Sequence, residues 1–217
     1  MRGFAVALVA FAFVLPAFSQ SSPTVQVDFS NPALTPAAWT LEIHPDGRGH
    51  FRSRHGANSP DVRRTIVPPD IDRDIQLSET FAQHVFLVAR RHKLFQIECE
   101  SHLKVAYQGN KKLSYSGPDG QGSCQFNYSR DNEIQALGDS MIAVASTLVE
   151  GARLEKILQH DKLGLDKEME DVDGEVSEGR MVEIGTIRDI LDRVAQDETV
   201  MERVRKRARA LLAKAGY

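Results

Sequence analysis

The 217-residue chain has little of what usually announces a chemistry. It holds two cysteines, Cys99 and Cys124, and neither belongs to a C-x-x-C pair, so a zinc ribbon or a thioredoxin-like dithiol is excluded. There is no H-E-x-x-H, no G-x-S-x-G and no glycine-rich loop opening a helix before lysine, which removes the common signatures of metalloprotease, α/β-hydrolase and phosphate-loop enzymes. Positive charge is not in excess either. Lys and Arg total 27 against 30 Asp and Glu, a net −3, so no global basic field calls for nucleic acid. The longest apolar run, Phe4–Phe18, has fifteen residues, short of the roughly 20 that span a bilayer.

That run has another use. It follows the lone charge of Arg2 and ends in Ala17-Phe18-Ser19. A basic start, a short apolar core and a small-x-small ending make a secretory signal peptide over residues 1–19, cleaved near Ser19/Gln20. No cysteine stands directly after the cleavage point and no second apolar stretch of spanning length follows later, so the expected product is exported and soluble, periplasmic or secreted. Export decides the cysteines. In an oxidising compartment Cys99 and Cys124 read as one structural disulfide, adding about 3.5 kcal/mol in the chain-entropy view. Asn127-Tyr128-Ser129 is a glycosylation sequon, meaningful only in a eukaryotic secretory pathway.

Proline and aromatic content divide the rest. All nine prolines lie at or before Pro118, and the only aromatic after residue 130 is Tyr217. Strands favour aromatic residues and long helices exclude proline. Residues 20–130 are therefore expected to be β-rich with one helix, and residues 131–217 helical and packed on them as one integrated domain. Trp39, Leu41 and Ile43 alternate with polar residues, turn at Pro45-Asp46-Gly47, and return through Gly49, Phe51 and Ser53, a hairpin with its odd-numbered residues inward. A loop over 56–70, a short strand through Ile71, Ile75 and Leu77, and a helix from Glu79 to His92 capped by Ser78 follow. Alternation then predicts strands at Phe95–Cys99 and Leu103–Tyr107, a three-residue turn at Gly109-Asn110-Lys111, and strands through Leu113–Tyr115 and Cys124–Tyr128.

From Asp131 the period lengthens. Ile134, Leu137, Met141, Val144 and Leu148 mark a long amphipathic helix, continued through Leu154, Ile157 and Leu158 after a kink expected at Gly151. Its heptad-like stretch is too short for a coiled coil. Leu165–Val176 predicts an acidic helix, Ile187–Val194 another capped by Thr186, and Val200–Leu211 the last. The expected fold class is α+β: an antiparallel sheet with one embedded helix, packed against a helical C-terminal half.

Other arrangements fail on geometry. His44 and His50 share the outer face of the hairpin, with His55 beyond, but carry no ligand pattern, so no metal is expected. His84 and His92 lie about 80° apart around their helix and make a poor ligand pair. Ser101-His102-Leu103-Lys104 matches S-x-x-K, yet falls between strands where the motif needs a helical turn. Aligning Gly174 with a calcium-loop glycine puts Met169 and Arg180 at ligand positions, which excludes that loop.

Two charged segments oppose one another. Asp166–Glu178 carries seven carboxylates and one lysine, whereas Arg203, Arg205, Lys206, Arg207, Arg209 and Lys214 give six positive charges. A basic amphipathic helix is a candidate for anionic surfaces through Arg203, Arg205, Lys206, Arg207 and Arg209. The favoured expectation is internal neutralisation by the acidic helix. The sequence thus points to an exported, soluble, non-enzymatic binding or envelope-interaction module for a protein or small molecule, with no cofactor and no nucleic acid. Its alternatives are a secreted hydrolase without a motif and a membrane-surface protein using the basic helix.

Overall fold

The computed structural model describes residues 22–54 and 68–215. The expected signal peptide, His55 and most of the expected 56–70 loop lie outside them. Six strands form one antiparallel sheet: β1 (Thr24–Ser30), β2 (Ala38–Ile43), β3 (Arg48–Arg54), β4 (Ile71–Gln76), β5 (Asn110–Gly117) and β6 (Gly120–Phe126). Their order is β4-β3-β2-β1-β5-β6. Five helices accompany them: α1 (Glu79–Arg91), α2 (Asn132–His160), α3 (Leu165–Ser177), α4 (Arg188–Gln196) and α5 (Glu202–Lys214). The fold is α+β.

The hairpin register keeps the apolar residues on one face, with Trp39 opposite Ser53, Leu41 opposite Phe51 and Ile43 opposite Gly49. Gly47 closes the turn at φ +79°, a left-handed position that glycine adopts without steric cost. The central strand β1, which sequence reading did not single out, places Val25, Val27 and Phe29 inward between β2 and β5. α1 begins where expected, with the Ser78 hydroxyl accepting from the Phe81 N–H.

The segment after α1 departs from expectation. Residues 96–109 form no strand, although Phe95 and Cys99 are buried as their alternation implied. Lys93, Leu94 and Phe95 all have positive φ, in a 3-10 turn that breaks the extended path. The chain then passes beside β6 with one backbone link, Ser101 N–H to Tyr128 C=O at 2.9 Å. Gly109-Asn110-Lys111 is consequently not a hairpin turn, because β5 starts at Asn110 and pairs with β1 and β6. The disulfide forms between Cys99 of this segment and Cys124 of β6, with Cα atoms 5.7 Å apart. Lys111 points inward and is buried. Its Nζ donates to the Asn127 carbonyl at 2.7 Å and lies 5.2 Å from the Phe126 ring centroid. Burial pushes its ammonium below the usual lysine range.

α2 is one continuous 29-residue helix capped by Asp131, whose side chain accepts from the Glu133 and Ile134 N–H groups. There is no break at Gly151. Its missing side chain instead lets the Ile187 methyl group approach the helix, and a Cβ there would lie 2.3 Å from Ile187 Cγ2. Thr186 does not cap α4; its hydroxyl donates to the Glu183 carbonyl within the 3-10 turn Ile184–Ile187. Two apolar cores result. One lies between the sheet, α1 and α2 as far as Ala152. The other begins at Leu154 and gathers α3, α4, α5 and the 3-10 turn.

Gly151 and Gly174 make a matched pair for testing this account. Gly151→Ala is expected to destabilise the fold by about 1–3 kcal/mol, the usual cost of overpacking. Gly174, inside α3, has nothing within 4 Å of a Cβ, so Gly174→Ala is expected to stabilise by about 0.5–1 kcal/mol through backbone entropy. Urea denaturation midpoints measure both, and equal effects of the same sign would contradict the packing described.

Candidate functional site

Four groups of residues bear on function, and the structure sorts them. The basic helix comes first. Arg203 binds Asp166 of α3 through two bonds, at 2.8 and 2.6 Å, and Arg207 reaches the same carboxylate at 2.9 Å. Lys214 pairs with Asp173 at 2.7 Å. Arg205 and Arg209 both contact Glu202 on their own helix, while Lys206 projects into solvent. Val204, Ala208 and Leu211 are buried in the second core. The acidic and basic helices thus face one another, and the apolar stripe a lipid surface would need is already covered.

The outer sheet face carries the histidines. His50 Nδ1 lies 2.8 Å from Asp74 and Nε2 2.8 Å from Asp72, while Arg52 holds the other oxygen of Asp72 at 2.8 Å. With a carboxylate on each ring nitrogen, the protonated imidazole donates to both, and the hydrogen bond to Asp74 leads in holding its pKa above the ordinary value. His44 sits 3.3 Å from Glu42. His44, Glu42, His50 and Asp74 line a shallow depression of about 450 Å³. Among the described residues, no three histidine, cysteine, aspartate or glutamate side chains are placed to hold a metal ion. His84 is exposed, and His92 bonds Glu133 at the start of α2 at 2.7 Å. Ser101 is buried against the Glu100 carboxylate, whereas Lys104 is exposed, so the S-x-x-K string builds no site.

Two loops at one end of the sheet form the third group. Residues 31–37 are pinned by Asn31, whose N–H donates to Ala37 C=O and whose side chain accepts from Ala33 N–H. Residues 100–109 are pinned from two sides. The Glu100 carboxylate accepts from the Asn127, Ser101 and His102 N–H groups. The Asn127 side chain accepts from Gln108 N–H at 2.7 Å and donates to Ala106 C=O at 3.1 Å. The sequon asparagine is therefore a latch. The Tyr107 hydroxyl, donating to Ser30 C=O at 3.1 Å, ties this loop to the end of β1, where the 31–37 loop begins.

This loop end is apolar and open. Residues 102–108 are exposed without interruption. Of six large apolar side chains exposed among the described residues, four lie on these loops: Leu34, Leu103, Val105 and Tyr107. Tyr107 is the most exposed of the four, at 58%. Alternation at 103–107 was the visible signal in the sequence, read there as a strand with a buried face. Its apolar side faces water instead.

Beneath the 31–37 loop lies the fourth group, a cleft of about 270 Å³ between that loop, α2 and Met181. Its floor is the cross-strand pair Phe29 and Trp39, with ring centroids 5.2 Å apart and planes at 15°. Ile142, Ala145 and Val149 of α2 form one wall, and Leu34, Thr35 and Pro36 the other. Trp39 was expected inward, and it is. No protein-family model matches this sequence, and no match to it emerges among curated proteins.

The His50 array makes a signed prediction. A raised pKa means that its contribution to stability is complete below the unfolded value near pH 6.5 and lost as pH rises through the folded value. The melting temperature of the protein should exceed that of His50→Asn most at pH 5.5–6, and the gap should narrow by pH 9. A gap that widens on alkalinisation would disprove the doubly bonded imidazolium.

Proposed function

We propose that this chain is an exported, non-enzymatic binding protein whose protein partner docks on the apolar loop end. One observation carries the reading: Leu34, Leu103, Val105 and Tyr107 are presented together on two loops that are rigidly latched from behind. Burying large apolar and aromatic side chains supplies most of the free energy of protein association, and tyrosine is enriched at the points that matter most. Latched loops lose little conformational freedom when they bind. A protein partner is favoured over a small ligand here because residues 102–108 are exposed without interruption. Lys104, Ala106 and Tyr107 also carry N–H groups without partners among the described residues, available to a second polypeptide.

Export is supported by the disulfide between Cys99 and Cys124. Among the described residues no helix is long and apolar enough to cross a membrane. Association with a lipid surface through α5 is disfavoured by the Arg203, Arg207 and Lys214 pairs with α3.

The test is made in the producing cell. N-terminal sequencing of the accumulated protein should begin at Gln20, and a retained Met1–Ser19 segment would refute export. A photoreactive phenylalanine analogue at position 107 should give a discrete protein adduct, absent from the same analogue at position 163, where Leu163 is 78% exposed elsewhere. Leu103→Ser with Val105→Ser should abolish that adduct without lowering the melting temperature. Identical adducts from both positions, none from either, or binding to anionic vesicles lost on neutralising Arg205, Lys206 and Arg209 would overturn the proposal.

A further inference from the structure

On the reading that the loop end docks a protein, its chemistry says which kind. The exposed run 102–108 is mostly apolar, but a cation stands near its centre. Lys104 lies between Leu103 and Val105 and forms no ion pair or side-chain hydrogen bond among the described residues. Arg203, Arg207 and Lys214 are matched by carboxylates of α3; this ammonium is not matched within the fold. The main chain beside it is equally open. Neither the N–H nor the C=O of Lys104 has a partner among the described residues, while the Val105 N–H donates to Leu103 C=O at 3.0 Å.

Both flanks of Lys104 are held by one residue. Before it, the Glu100 carboxylate accepts the Ser101 and His102 N–H groups, and the Ser101 hydroxyl accepts the Leu103 N–H at 3.1 Å. Beyond it, the Asn127 side chain holds Ala106 C=O and Gln108 N–H. Glu100 also accepts the Asn127 N–H at 2.6 Å, so the two flanks meet at Asn127. The Cys99–Cys124 bond anchors the residue before Glu100. A serine protease reads one side chain in its primary pocket and aims N–H groups at the carbonyl that follows it. A carboxylate in that pocket selects lysine. A loop already held in one conformation binds there at little entropic cost. If the Lys104–Val105 peptide is hydrolysed, water supplies hydroxyl to the carbonyl carbon and hydrogen to the amine. Both new ends then stay tethered through Asn127, so release is slow and resealing competes with it.

We propose that residues 102–108 are an inhibitory loop for a serine protease with an acidic primary pocket. Lys104 enters that pocket, and Leu103, Val105 and Tyr107 pack on the surfaces beside it.

Trypsin has such a pocket and is the probe. The protein, purified without reductant, is added to trypsin turning over a small chromogenic substrate. The expected result is competitive inhibition with a constant below about 1 μM, at the foot of the usual KM range and tighter than an incidental substrate gives. Lys104→Ala should weaken it by at least about thirtyfold, the threshold of a hot-spot residue, whereas Lys104→Arg should inhibit as well as the parent. Lys104→Phe should lose trypsin and gain chymotrypsin, whose primary pocket is apolar. Asn127→Ala, with the flanks released, should be cut at Lys104–Val105 faster than the parent, as mass spectrometry reads directly; if its melting temperature falls, the Lys104 variants decide alone. No inhibition by the parent, inhibition that survives Lys104→Ala, or rapid cutting of the parent at Lys104 would overturn the inference. The assay uses purified protease and the position-107 adduct is made in the cell, so the two readings fail separately: inhibition absent with the adduct retained removes the protease and leaves a docking loop.

Discussion

One helix has to satisfy two cores, and the rest of the architecture follows from that demand. α2 lies across the sheet through Ile134, Leu137, Met141, Val144 and Leu148, then passes without interruption into the helical part through Leu154, Ile157 and Leu158. A straight helix turns its faces by 100° per residue, so it serves two cores only if its apolar surface is wide. Sixteen of its 29 residues are buried, which is why no single stripe of apolar residues marks its length. Each core is closed by a helix that the other holds in place, and the two parts are thereby made interdependent.

The changeover from one core to the other is polar. Thr147, Glu150 and Arg153 are buried there, and Arg153 meets Glu168 of α3 at 2.7 Å with both side chains almost wholly enclosed. Burial of such a pair costs desolvation that the Coulomb attraction only partly offsets, so its contribution is poorly described as added stability. Its geometric effect is clearer. Sliding α3 along α2 by one turn would separate the pair and leave a charge in an apolar setting, at a cost of about 3–5 kcal/mol. Thr147 adds a second fix, donating to the Val182 carbonyl at 2.7 Å. These bonds hold Met181 beneath the cleft and α3 opposite α5. The Asp166 carboxylate then receives Arg203 and Arg207 at the surface, where exposed pairs contribute only about 0–1 kcal/mol each. Apolar burial assembles the helical part, and the charges fix its alignment.

Much of this was legible in the sequence. The Trp39–Phe51 hairpin, the Ser78 cap and the phase of α2 follow from local pattern, and the Cys99–Cys124 bond from the expectation of an oxidising compartment. β1 was legible too, since Val25, Val27 and Phe29 alternate with Gln26, Asp28 and Ser30 between Pro23 and the turn dipeptide Asn31-Pro32. The error lies at residues 95–107, and it is instructive. Alternation shows that a segment has two unlike faces; it does not show that its backbone finds a neighbour. At 93–95 three successive left-handed residues turn the chain out of the ladder, and the side chains of Glu100 and Asn127 take over the hydrogen bonding that a strand would have supplied. Gly151 misled for the converse reason. A glycine within a helix suggests weakness when read along the chain, whereas here it accommodates Ile187, thirty-six residues later.

The two candidate sites were hidden by the same non-locality. Trp39 read correctly as core, yet the cleft above it needs Thr35 from a loop, Ile142 and Val149 from α2 and Met181 from beyond α3. No sequence window contains them together. The exposed loop is harder still, because its meaning depends on what is missing around it. Leu103, Val105 and Tyr107 would be unremarkable in a sheet. Outside one, they form an apolar surface that water solvates poorly and that nothing in the fold requires. The latches make the same point. Relaxation would let these side chains turn inward, but Glu100, Asn127 and the Tyr107–Ser30 bond hold the loop in place. Six hydrogen bonds made by the Glu100 carboxylate, the Asn127 side chain and the Tyr107 hydroxyl keep these apolar residues outward, and that is the ground on which a docking role is proposed for them.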